Sequence, residues 1–247
     1  MPARPNEAAP AHADPRLAHP LPIDGSELIL VRHGQSTANA QGIGQGRSDW
    51  PLSELGRLQA EATGRRLAQL GGIAAVYTSP LTRAAATAQA IAAPLGLAPV
   101  PDADLVEIDI GALSGKTWDQ LKADQPDAMA AYEAAEAAGP HPRNRELIPG
   151  WEAAHDVLAR TWRAIKTSAA RHPGQRVVVV AHGGVLNAYL THLLTGDARV
   201  TPWSHHLGNC AVTHLAFRPG GVEAVCLRDT SHIRDLRSAA GAPPWAP

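Results

Sequence analysis

Cysteine, net charge and long apolar runs are all scarce in this 247-residue chain. Two cysteines exclude a small fold held together by several disulfides. A net charge of −1 provides no overall basic field for nucleic acid or for an anionic membrane surface. No apolar run approaches the length of a membrane span, and no internal repeat occurs. We therefore predict a soluble protein with neither nucleic-acid nor membrane partners.

The two ends of the chain have few large apolar side chains with which to form a core. The first 25 residues also lack the basic start and continuous apolar stretch of a signal peptide, which favours a cytoplasmic location. Segments of this composition bury too little apolar surface to offset the entropy lost on ordering. We predict a flexible segment over residues 1–25, one folded domain over 26–233 and a flexible tail over 234–247.

The two cysteines, Cys210 and Cys226, flank a predicted hairpin. If Phe217 pairs with Val222, Cys226 lies opposite Thr213 and not opposite Cys210. A disulfide needs its two α-carbons close together, so we expect none here. Both cysteines are predicted to act as small buried apolar residues.

Strand and helix patterns alternate along the folded domain. Continuous apolar runs that predict buried strands lie at 28–31, 73–77 and 177–180, and a further strand is predicted from Pro99 toward Val106. Helical patterns lie at about 53–70, 84–93 and 151–170. The alternation favours an α/β fold with a doubly wound, mostly parallel sheet flanked by helices. Residues from about 114 to 150 form a long excursion, which we interpret as a helical cap insertion over the site.

Polar residues follow the apolar strands where those strands end. Arg32 and His33 follow the first strand, and His182 and Gly183 follow the strand at 177–180. Ligands of open α/β sheets bind outside the carboxyl ends of the strands, so these residues are expected to face one crevice. Arg83 falls in the first turn of a predicted helix, where free N–H groups favour an anion. Two guanidinium groups at one site make phosphate the leading ligand class.

This set of residues also suggests a reaction. A neutral imidazole is nucleophilic, so His33 between two arginines is predicted to attack phosphorus and form a phosphohistidine. Protonated His182 and the amide of Gly183 would help the arginines to stabilise the charge of the transition state. Glu107 is the best-placed carboxyl group for protonating the leaving oxygen. Asp109 stays an alternative, because it points the same way as Glu107 if this stretch is extended.

Together these motifs resemble the histidine phosphatase superfamily, in the branch of cofactor-dependent phosphoglycerate mutases and small broad-specificity phosphatases. The resemblance extends over about residues 26–231 and rests on five blocks in order, namely 30–39, 51–56, 79–84, 107–111 and 181–184. It implies that His33 is the phosphorylated nucleophile and that Glu107 is the proton donor. Arg32, Arg83 and His182 would then form the phosphate pocket. It also implies that Asn39, Gln45, Gly46 and Gly183 line the substrate site, and that neither a metal nor another cofactor is needed.

Two departures from the family pattern bear on the function. The mutases usually carry Arg-His-Tyr where this chain has Ile108-Asp109-Ile110, and this favours a phosphatase. Relatives often carry Gly-Glu-Ser where this chain has Trp151-Glu152-Ala153. The role of Glu152 is therefore left open: its side chain either lies behind the wall of the pocket or faces the substrate.

The sequence thus predicts a metal-independent phosphomonoester hydrolase that acts on a small phosphorylated metabolite. A cofactor-dependent phosphoglycerate mutase is the first alternative, and a protein that binds a phosphate ligand without turnover is the second. The oligomeric state is not readable from these motifs, and a homodimer stays open.

The predicted cap contains several further candidates. Its basic residues are either ordinary solvated charges or contacts for a second anionic group of the substrate; they are Lys116, Lys122, His141, Arg143 and Arg145. Trp118 is a candidate contact for an apolar part of the substrate. Outside the cap, His205 and His206 suggest a metal site, but adjacent side chains diverge and no ligand cluster surrounds them in the sequence. We expect them to be solvated or hydrogen-bonded.

Overall fold

A six-stranded sheet forms the centre of the protein in the computed structural model, which describes residues 25–139, 141–195, 207–219 and 221–239. The strands are β1 (Glu27–Arg32), β2 (Ile73–Thr78), β3 (Val100–Pro101), β4 (Arg176–Ala181), β5 (Val212–Arg218) and β6 (Gly221–Asp229). Their order across the sheet is β3-β2-β4-β1-β5-β6. The first four strands run parallel, and β5 and β6 are antiparallel. The α/β fold with a mostly parallel sheet is confirmed.

Helices cover both faces of this sheet. They are α1 (Thr37–Ala40), α2 (Glu54–Leu70), α3 (Thr82–Ala92), α4 (Trp118–Asp124), α5 (Pro126–Ala138), α6 (Ala154–Ala170), α7 (Gly183–Thr195) and α8 (Arg234–Ala239). Alternate residues of β1 face opposite layers: Ile29 packs in the core beneath α2 and α3, and Leu30 packs in the core beneath α6 and α7. This two-sided burial is the physical reason why the strand sequences are continuously apolar.

Helix boundaries follow local signals closely. The hydroxyl of Ser53 accepts a hydrogen bond from the Gly56 N–H at 3.0 Å and caps the start of α2. Gly71, with a φ of 67°, ends the same helix. The predicted helix at 151–170 begins later, at Ala154, because Trp151 forms an isolated bridge with Ile110. That bridge joins the start and end of the cap.

The strand predicted from Pro99 toward Val106 is much shorter in the structure. Only Val100–Pro101 pairs with β2, and a 3-10 helix follows at Ala103–Leu105. The Asp102 carboxylate accepts a hydrogen bond from the Asp104 N–H at 2.9 Å, which stabilises a turn in place of an extended strand. Pro101 has no N–H with which to extend the ladder. These two residues explain why the prediction was wrong in length.

The β5–β6 hairpin differs from its predicted register at the cysteines. Phe217 pairs with Val222 as expected, but the register shifts near His214, and Cys226 lies opposite His214 and not opposite Thr213. A bulge adds one unpaired residue to one of the two strands. Pairs predicted by counting residues outward from the turn are therefore wrong beyond the bulge. Cys210 is buried and Cys226 half-buried, and both are free thiols.

The segments predicted to be flexible fall mostly outside the described residues. Residues 1–24 and 240–247 are among those not described. The short helix α8 lies at the start of the predicted C-terminal tail. Within the described ranges, no helix combines the length and the apolar character needed to cross a membrane.

The predicted cap consists of α4, α5 and a 3-10 helix at Pro142–Leu147. Its start is joined to the loop before α2 by two backbone hydrogen bonds. The Gly44 N–H donates to the Lys116 carbonyl at 2.9 Å, and the Gly115 N–H donates to the Gly44 carbonyl at 2.8 Å. The cap and the loop therefore form one continuous wall.

Close packing between α2 and α3 makes a testable prediction. An alanine inside a helix is normally more stable than glycine by about 1 kcal/mol. At Gly64, however, an added β-carbon would lie 2.4 Å from the Ala90 carbonyl oxygen. The overlap costs about 1–3 kcal/mol or more, so Gly64→Ala is expected to lower the free energy of unfolding measured in urea. In Gly139→Ala the added carbon meets nothing within 4 Å, and this control should stay within about 0.5 kcal/mol of wild type. Equal behaviour of both variants would contradict the prediction.

Candidate active site

Adjacent parallel strands bring the two predicted histidines together. In the β1–β4 register Arg32 lies beside Ala181, and the His33 N–H donates to the Ala181 carbonyl at 3.0 Å. His33 and His182, which follow these strands, therefore meet at the carboxyl edge of the sheet. Their ring centroids are 5.1 Å apart, and the rings meet edge to face. The two strand ends meet at one edge as predicted, where Arg32, His33 and Gly183 line a common cavity.

His33 is held as a neutral imidazole with one nitrogen committed to the backbone. Its Nδ1 lies 2.7 Å from the Gly34 carbonyl oxygen. A carbonyl only accepts hydrogen bonds, so Nδ1 carries the proton and Nε2 keeps its lone pair. Burial, followed by the charges of Arg32 and Arg83, holds the pKa of His33 well below its usual range. These are the properties of a nucleophile near neutral pH.

The two predicted arginines are both buried against backbone carbonyls. Arg83, only 1% exposed, donates from Nη2 to the Gly46 carbonyl at 2.8 Å and from Nη1 to the Ser48 carbonyl at 2.9 Å. Arg32 donates from Nη1 to the Leu207 carbonyl. Burial lowers the pKa of Arg32 to about 10, which leaves the guanidinium charged at neutral pH. The site therefore carries two positive charges with little access to water.

His182 is buried beneath the site, and its ring has one hydrogen-bond partner among the described residues. Its Nε2 lies 2.8 Å from the Ser79 hydroxyl, and the ring is fully buried. Burial, followed by the charges of Arg83, His33 and Arg32, holds the pKa of His182 well below its usual range. Without a phosphate ligand these effects favour a neutral His182. The predicted protonated form concerns the transition state, where an anion lies nearby, and it stays a prediction.

Three buried nitrogens at this edge have no hydrogen-bond partner among the described residues. They are Arg32 Nε, Arg83 Nε and His182 Nδ1. An unsatisfied buried polar group costs about 1–3 kcal/mol. Gly183, the first residue of α7, lies beside Arg32, since a β-carbon added there would be 3.4 Å from Arg32 Nε. A tetrahedral oxyanion at the N-terminus of this helix would supply the missing acceptors.

Glu107 also lies in this site, where its side chain contacts the N-terminal end of α7. Its carboxylate accepts hydrogen bonds from the Gly184 N–H at 3.1 Å and the Val185 N–H at 3.2 Å. Asp109 instead accepts from the Gly111 N–H at 3.0 Å, and it does not line the cavity. Of the two acids left open by the sequence, Glu107 is the one in the site.

The predicted loop residues lie in the wall of the same cavity. Asn39 Oδ1 accepts from the Ser36 N–H at 3.2 Å, and Gln45 Oε1 accepts from the Ser36 hydroxyl at 2.7 Å. Gly46 has a φ of +51°, and a β-carbon there would lie 2.7 Å from Ile110 Cγ1. A glycine at this position lets the loop approach Ile110 closely while its carbonyl reaches Arg83.

These residues enclose a cavity of about 310 Å³, a volume suited to a small molecule. Its polar wall comes from the sheet edge, the Gly42–Gly46 loop and α7. The lining residues predicted from the sequence are Arg32, His33, Asn39, Gln45, Gly46, Arg83, Glu107, Gly183, Trp118 and Arg145. His182 lies behind His33 and is not among the lining residues. Apolar side chains that were not predicted as site residues also line the cavity, namely Ile43, Ile108, Ile110, Leu113 and Leu207.

Glu152 lies behind the pocket wall and not in it. Its carboxylate accepts from Arg160 Nε at 2.9 Å, from Arg47 Nη2 at 3.0 Å and from the Asp109 N–H at 3.0 Å. Arg160 in turn donates to the carbonyls of residues 104, 106 and 107. This network holds the backbone that presents Glu107. Arg160 is not among the residues predicted from the sequence, although a charged residue on the apolar stripe of α6, between Val157 and Ala164, is an available signal.

Most of the predicted basic cap residues lie away from the cavity. Lys116 pairs with Asp124 at 2.7 Å, and Lys122 pairs with Glu133 at 2.8 Å. His141 Nδ1 accepts a hydrogen bond from the Arg143 N–H at 3.1 Å, and Arg143 is exposed. Among these five residues, Arg145 alone lines the cavity.

Metal binding finds no support in the described ranges, where no group of three or more His, Cys, Asp or Glu side chains could hold an ion. His205 and His206 lie outside the described residues.

The fold and the site together define an α/β protein whose cavity at the carboxyl edge of the sheet is lined by a histidine and two buried arginines. The family model of the histidine phosphatase superfamily (branch 1) matches residues 28–230, and the chain belongs to this superfamily. The resemblance drawn from the five sequence blocks is thereby confirmed.

Individual relatives agree with this assignment. A metal-independent phosphoserine phosphatase of Arabidopsis thaliana is 39% identical over 165 residues, which span 66% of each chain. The putative phosphoserine phosphatase 2 of Hydrogenobacter thermophilus is 32% identical over 210 residues, or 85% of this chain and 98% of that one. The structure of YhfR from Bacillus stearothermophilus superposes with a TM-score of 0.74 at 30% identity, covering 84% of this chain and 99% of that one.

The Glu152–Arg160 pair makes a prediction about stability and pH. Burial raises the pKa of Glu152, but hydrogen bonds from Arg160 and from the Asp109 N–H outweigh it, and the folded-state pKa is lowered. The ion pair therefore stabilises the fold at pH values above about 4.3, the pKa of a glutamate in the unfolded chain. This stabilisation is lost as the pH falls through the lower pKa that Glu152 has in the folded protein. Glu152→Gln is expected to cost about 2 kcal/mol of unfolding free energy at pH 7, and the difference should shrink below about pH 4.

Urea unfolding of wild type and Glu152→Gln between pH 7 and pH 3 measures this difference. Glu133→Gln is the matched control, because Glu133 pairs with Lys122 on the exposed surface, where such pairs contribute about 0–1 kcal/mol. A loss in Glu152→Gln that does not depend on pH would show that the ionised pair is not its source.

Proposed function

We propose that the protein is a phosphomonoester hydrolase that works through a covalent phosphohistidine on His33. The observation that carries the proposal is the state of His33, which is neutral and keeps its Nε2 lone pair beside two buried guanidinium groups. The phosphatase names of the relatives in Arabidopsis and Hydrogenobacter support it. The substrate is a small phosphorylated metabolite, in keeping with the cavity of about 310 Å³.

In the first step, His33 Nε2 attacks phosphorus while the bond from phosphorus to the leaving oxygen breaks. The electron pair of that bond goes to the leaving oxygen, and the carboxyl group of Glu107 donates a proton to it. Arg32 and Arg83 stabilise the charge on the phosphoryl oxygens through their buried guanidinium groups. The substrate's negative charge opposes the effect of the two arginines on His182. It therefore raises the pKa of His182 and favours an imidazolium, whose charge helps to stabilise the phosphoryl group.

In the second step, water attacks the phosphorus of phosphohistidine and the bond between phosphorus and Nε2 breaks. The Glu107 carboxylate accepts the proton of the attacking water, and inorganic phosphate leaves. His33 returns to the neutral form with its proton on Nδ1. The cycle needs no metal, a feature that the name of the Arabidopsis relative also states for that protein.

Hydrolysis is favoured over mutase activity by the wall beside Glu107. Ile108 and Ile110 line the cavity at the positions where mutases of this superfamily usually carry Arg-His-Tyr. The cytoplasmic location, the lack of nucleic-acid and membrane partners and the limits of the folded domain stay predictions, and the possibility of a homodimer stays open.

The covalent intermediate provides the test of this function. Wild type mixed rapidly with p-nitrophenyl phosphate in EDTA is expected to release phosphate and to gain the mass of one phosphoryl group on His33. His33→Ala should lose both the label and at least about 1,000-fold of the activity, because the nucleophile is absent. Phosphate release without a label on His33, or loss of wild-type activity in EDTA, would overturn the mechanism. Isomerisation of 3-phosphoglycerate in the presence of a bisphosphate primer, with little hydrolysis, would establish the mutase instead.

The proposed role of Glu107 predicts a dependence on the leaving group. An alkoxide needs a proton as it leaves, whereas p-nitrophenolate needs little help. Glu107→Gln is therefore expected to lower kcat about 100-fold or more for an alkyl phosphate and much less for p-nitrophenyl phosphate. Asp109→Asn, which alters the alternative acid, should show no such difference between substrates. An equal loss on both substrates in Glu107→Gln would assign the proton to another group.

A further inference from the structure

Ser79 is a buried residue of the active site to which the proposed reaction assigns no role. It follows β2, and neither its side chain nor that of His182 is exposed to solvent. The Ser79 hydroxyl oxygen lies 2.8 Å from Nε2 of His182. A hydroxyl group can donate or accept a hydrogen bond, so the direction of this contact depends on where the hydroxyl proton finds an acceptor.

The surroundings of the hydroxyl group decide that direction. The Leu81 N–H donates to the Ser79 oxygen at 3.3 Å, so the oxygen already accepts one hydrogen bond. Within the described ranges the hydroxyl group has no third partner, which leaves His182 Nε2 as the one acceptor for its proton. If Nε2 carried a proton instead, the hydroxyl proton would be buried without an acceptor, which is unfavourable. Ser79 therefore donates, and Nε2 accepts with its lone pair.

This direction fixes the tautomer of His182. A neutral imidazole carries a single proton, so an Nε2 that accepts a hydrogen bond places this proton on Nδ1. His182 Nδ1 is buried and has no partner among the described residues. The ring lies 5.1 Å from that of His33, and the charges of Arg83 and Arg32 act on it. A phosphoryl oxygen bound among these groups would supply the acceptor that the Nδ1 proton lacks.

The two histidines thereby offer opposite groups to a ligand. In His33 the Gly34 carbonyl accepts the proton of Nδ1, and the lone pair of Nε2 stays available for attack. In His182 the Ser79 hydroxyl donates to the lone pair of Nε2, and the N–H of Nδ1 stays available as a donor. A neutral His182 with its proton on Nε2 would instead present a lone pair to the phosphoryl oxygens, which would repel them.

We propose that Ser79 is a positioning residue that keeps the proton of neutral His182 on Nδ1, from which His182 donates a hydrogen bond to the phosphoryl group. The inference rests on the proposed function, since the acceptor is the phosphoryl group bound at the same site. An imidazolium has a proton on both nitrogens. Ser79 therefore acts on the neutral form of His182, which is the form that meets the incoming substrate.

The tautomer of His182 tests this assignment directly. In the full chain with nitrogen-15-labelled histidine, NMR correlations between the ring protons and the ring nitrogens show which nitrogen carries the proton. The signals of His182 are those that disappear in His182→Gln. Wild type without phosphate at neutral pH is expected to carry the proton on Nδ1, and Ser79→Ala is expected to shift it toward Nε2. Thr82→Ala is the matched control, because the Thr82 hydroxyl donates to Asp49 at 2.6 Å at the start of the same helix α3. It should keep the wild-type tautomer.

Binding and catalysis provide a second readout. A hydrogen bond to a charged group contributes about 10-fold to 100-fold in binding. Ser79→Ala is therefore expected to bind inorganic phosphate about 10-fold or more weakly in calorimetric titration, and to lower kcat for p-nitrophenyl phosphate by about 10-fold or more. Thr82→Ala should stay close to wild type in both measurements.

Three outcomes would overturn the assignment. They are a wild-type His182 that carries a proton on Nε2, a Ser79→Ala variant that keeps the wild-type tautomer whatever its activity, and one that changes tautomer without weaker phosphate binding. In the second case Ser79 would only support the start of α3. If Ser79→Ala does not fold, the wild-type tautomer decides alone. The tautomer and the phosphate affinity are measured without turnover, so a wild type that hydrolyses no phosphate ester would count against the proposed function and leave the test of Ser79 intact.

Discussion

The burial of two guanidinium groups beside the carboxyl edge of the sheet is the constraint on which the rest of the site depends. A buried cation is costly unless its donors are satisfied. Arg83 meets part of this requirement through the carbonyls of Gly46 and Ser48, and Arg32 through the carbonyl of Leu207. The nitrogens left without partners are available to an oxyanion. The folding requirement and the binding requirement are met by the same two side chains.

The same charges set the state of the histidines. Burial and the neighbouring cations hold the pKa values of His33 and His182 well below their usual range. A neutral His33 has the lone pair that attack on phosphorus needs, and the Gly34 carbonyl decides which nitrogen carries that pair. A phosphate ligand weakens the effect of the cations, so the electrostatics of the site change when the substrate binds. The pocket is thus prepared for an anion before the anion arrives.

Arginines also build the walls of the cavity. Arg83 holds the Gly46 loop on one side, and Arg160 holds the carbonyls on either side of Glu107 on another. Arg145, in its aromatic surroundings, belongs to the cap. Since each guanidinium is fixed by several contacts at once, the position of each wall depends on residues far away in the sequence. This explains how loops and a cap can form a site with a defined shape.

Local patterns in the sequence were sufficient for the main elements and for the central residues. The apolar runs of β1, β2 and β4 predicted buried strands, and Ser53 and Gly71 marked the ends of α2, because these signals act within a few residues. The placement of His33, His182 and Arg83 at one edge followed from the rule that parallel strands end together. The resemblance to a family added Glu107 and the loop residues. These parts of the site were predictable because they depend on the local chain and on the topology alone.

Only the tertiary structure decided the remaining features. The lowered pKa of His182, the shortened β3 and the bulge opposite Cys226 depend on burial and pairing. Burial also distinguishes Arg145 from the four other basic residues of the cap, since among these five Arg145 alone lines the cavity. Arg160 acts on residues more than 50 positions away, at the carbonyls of Val106 and Glu107. The sequence by itself determined which chemical groups are present and on which elements they lie. The fold determined their solvation and their partners, because desolvation and hydrogen bonding between distant segments have no local signal.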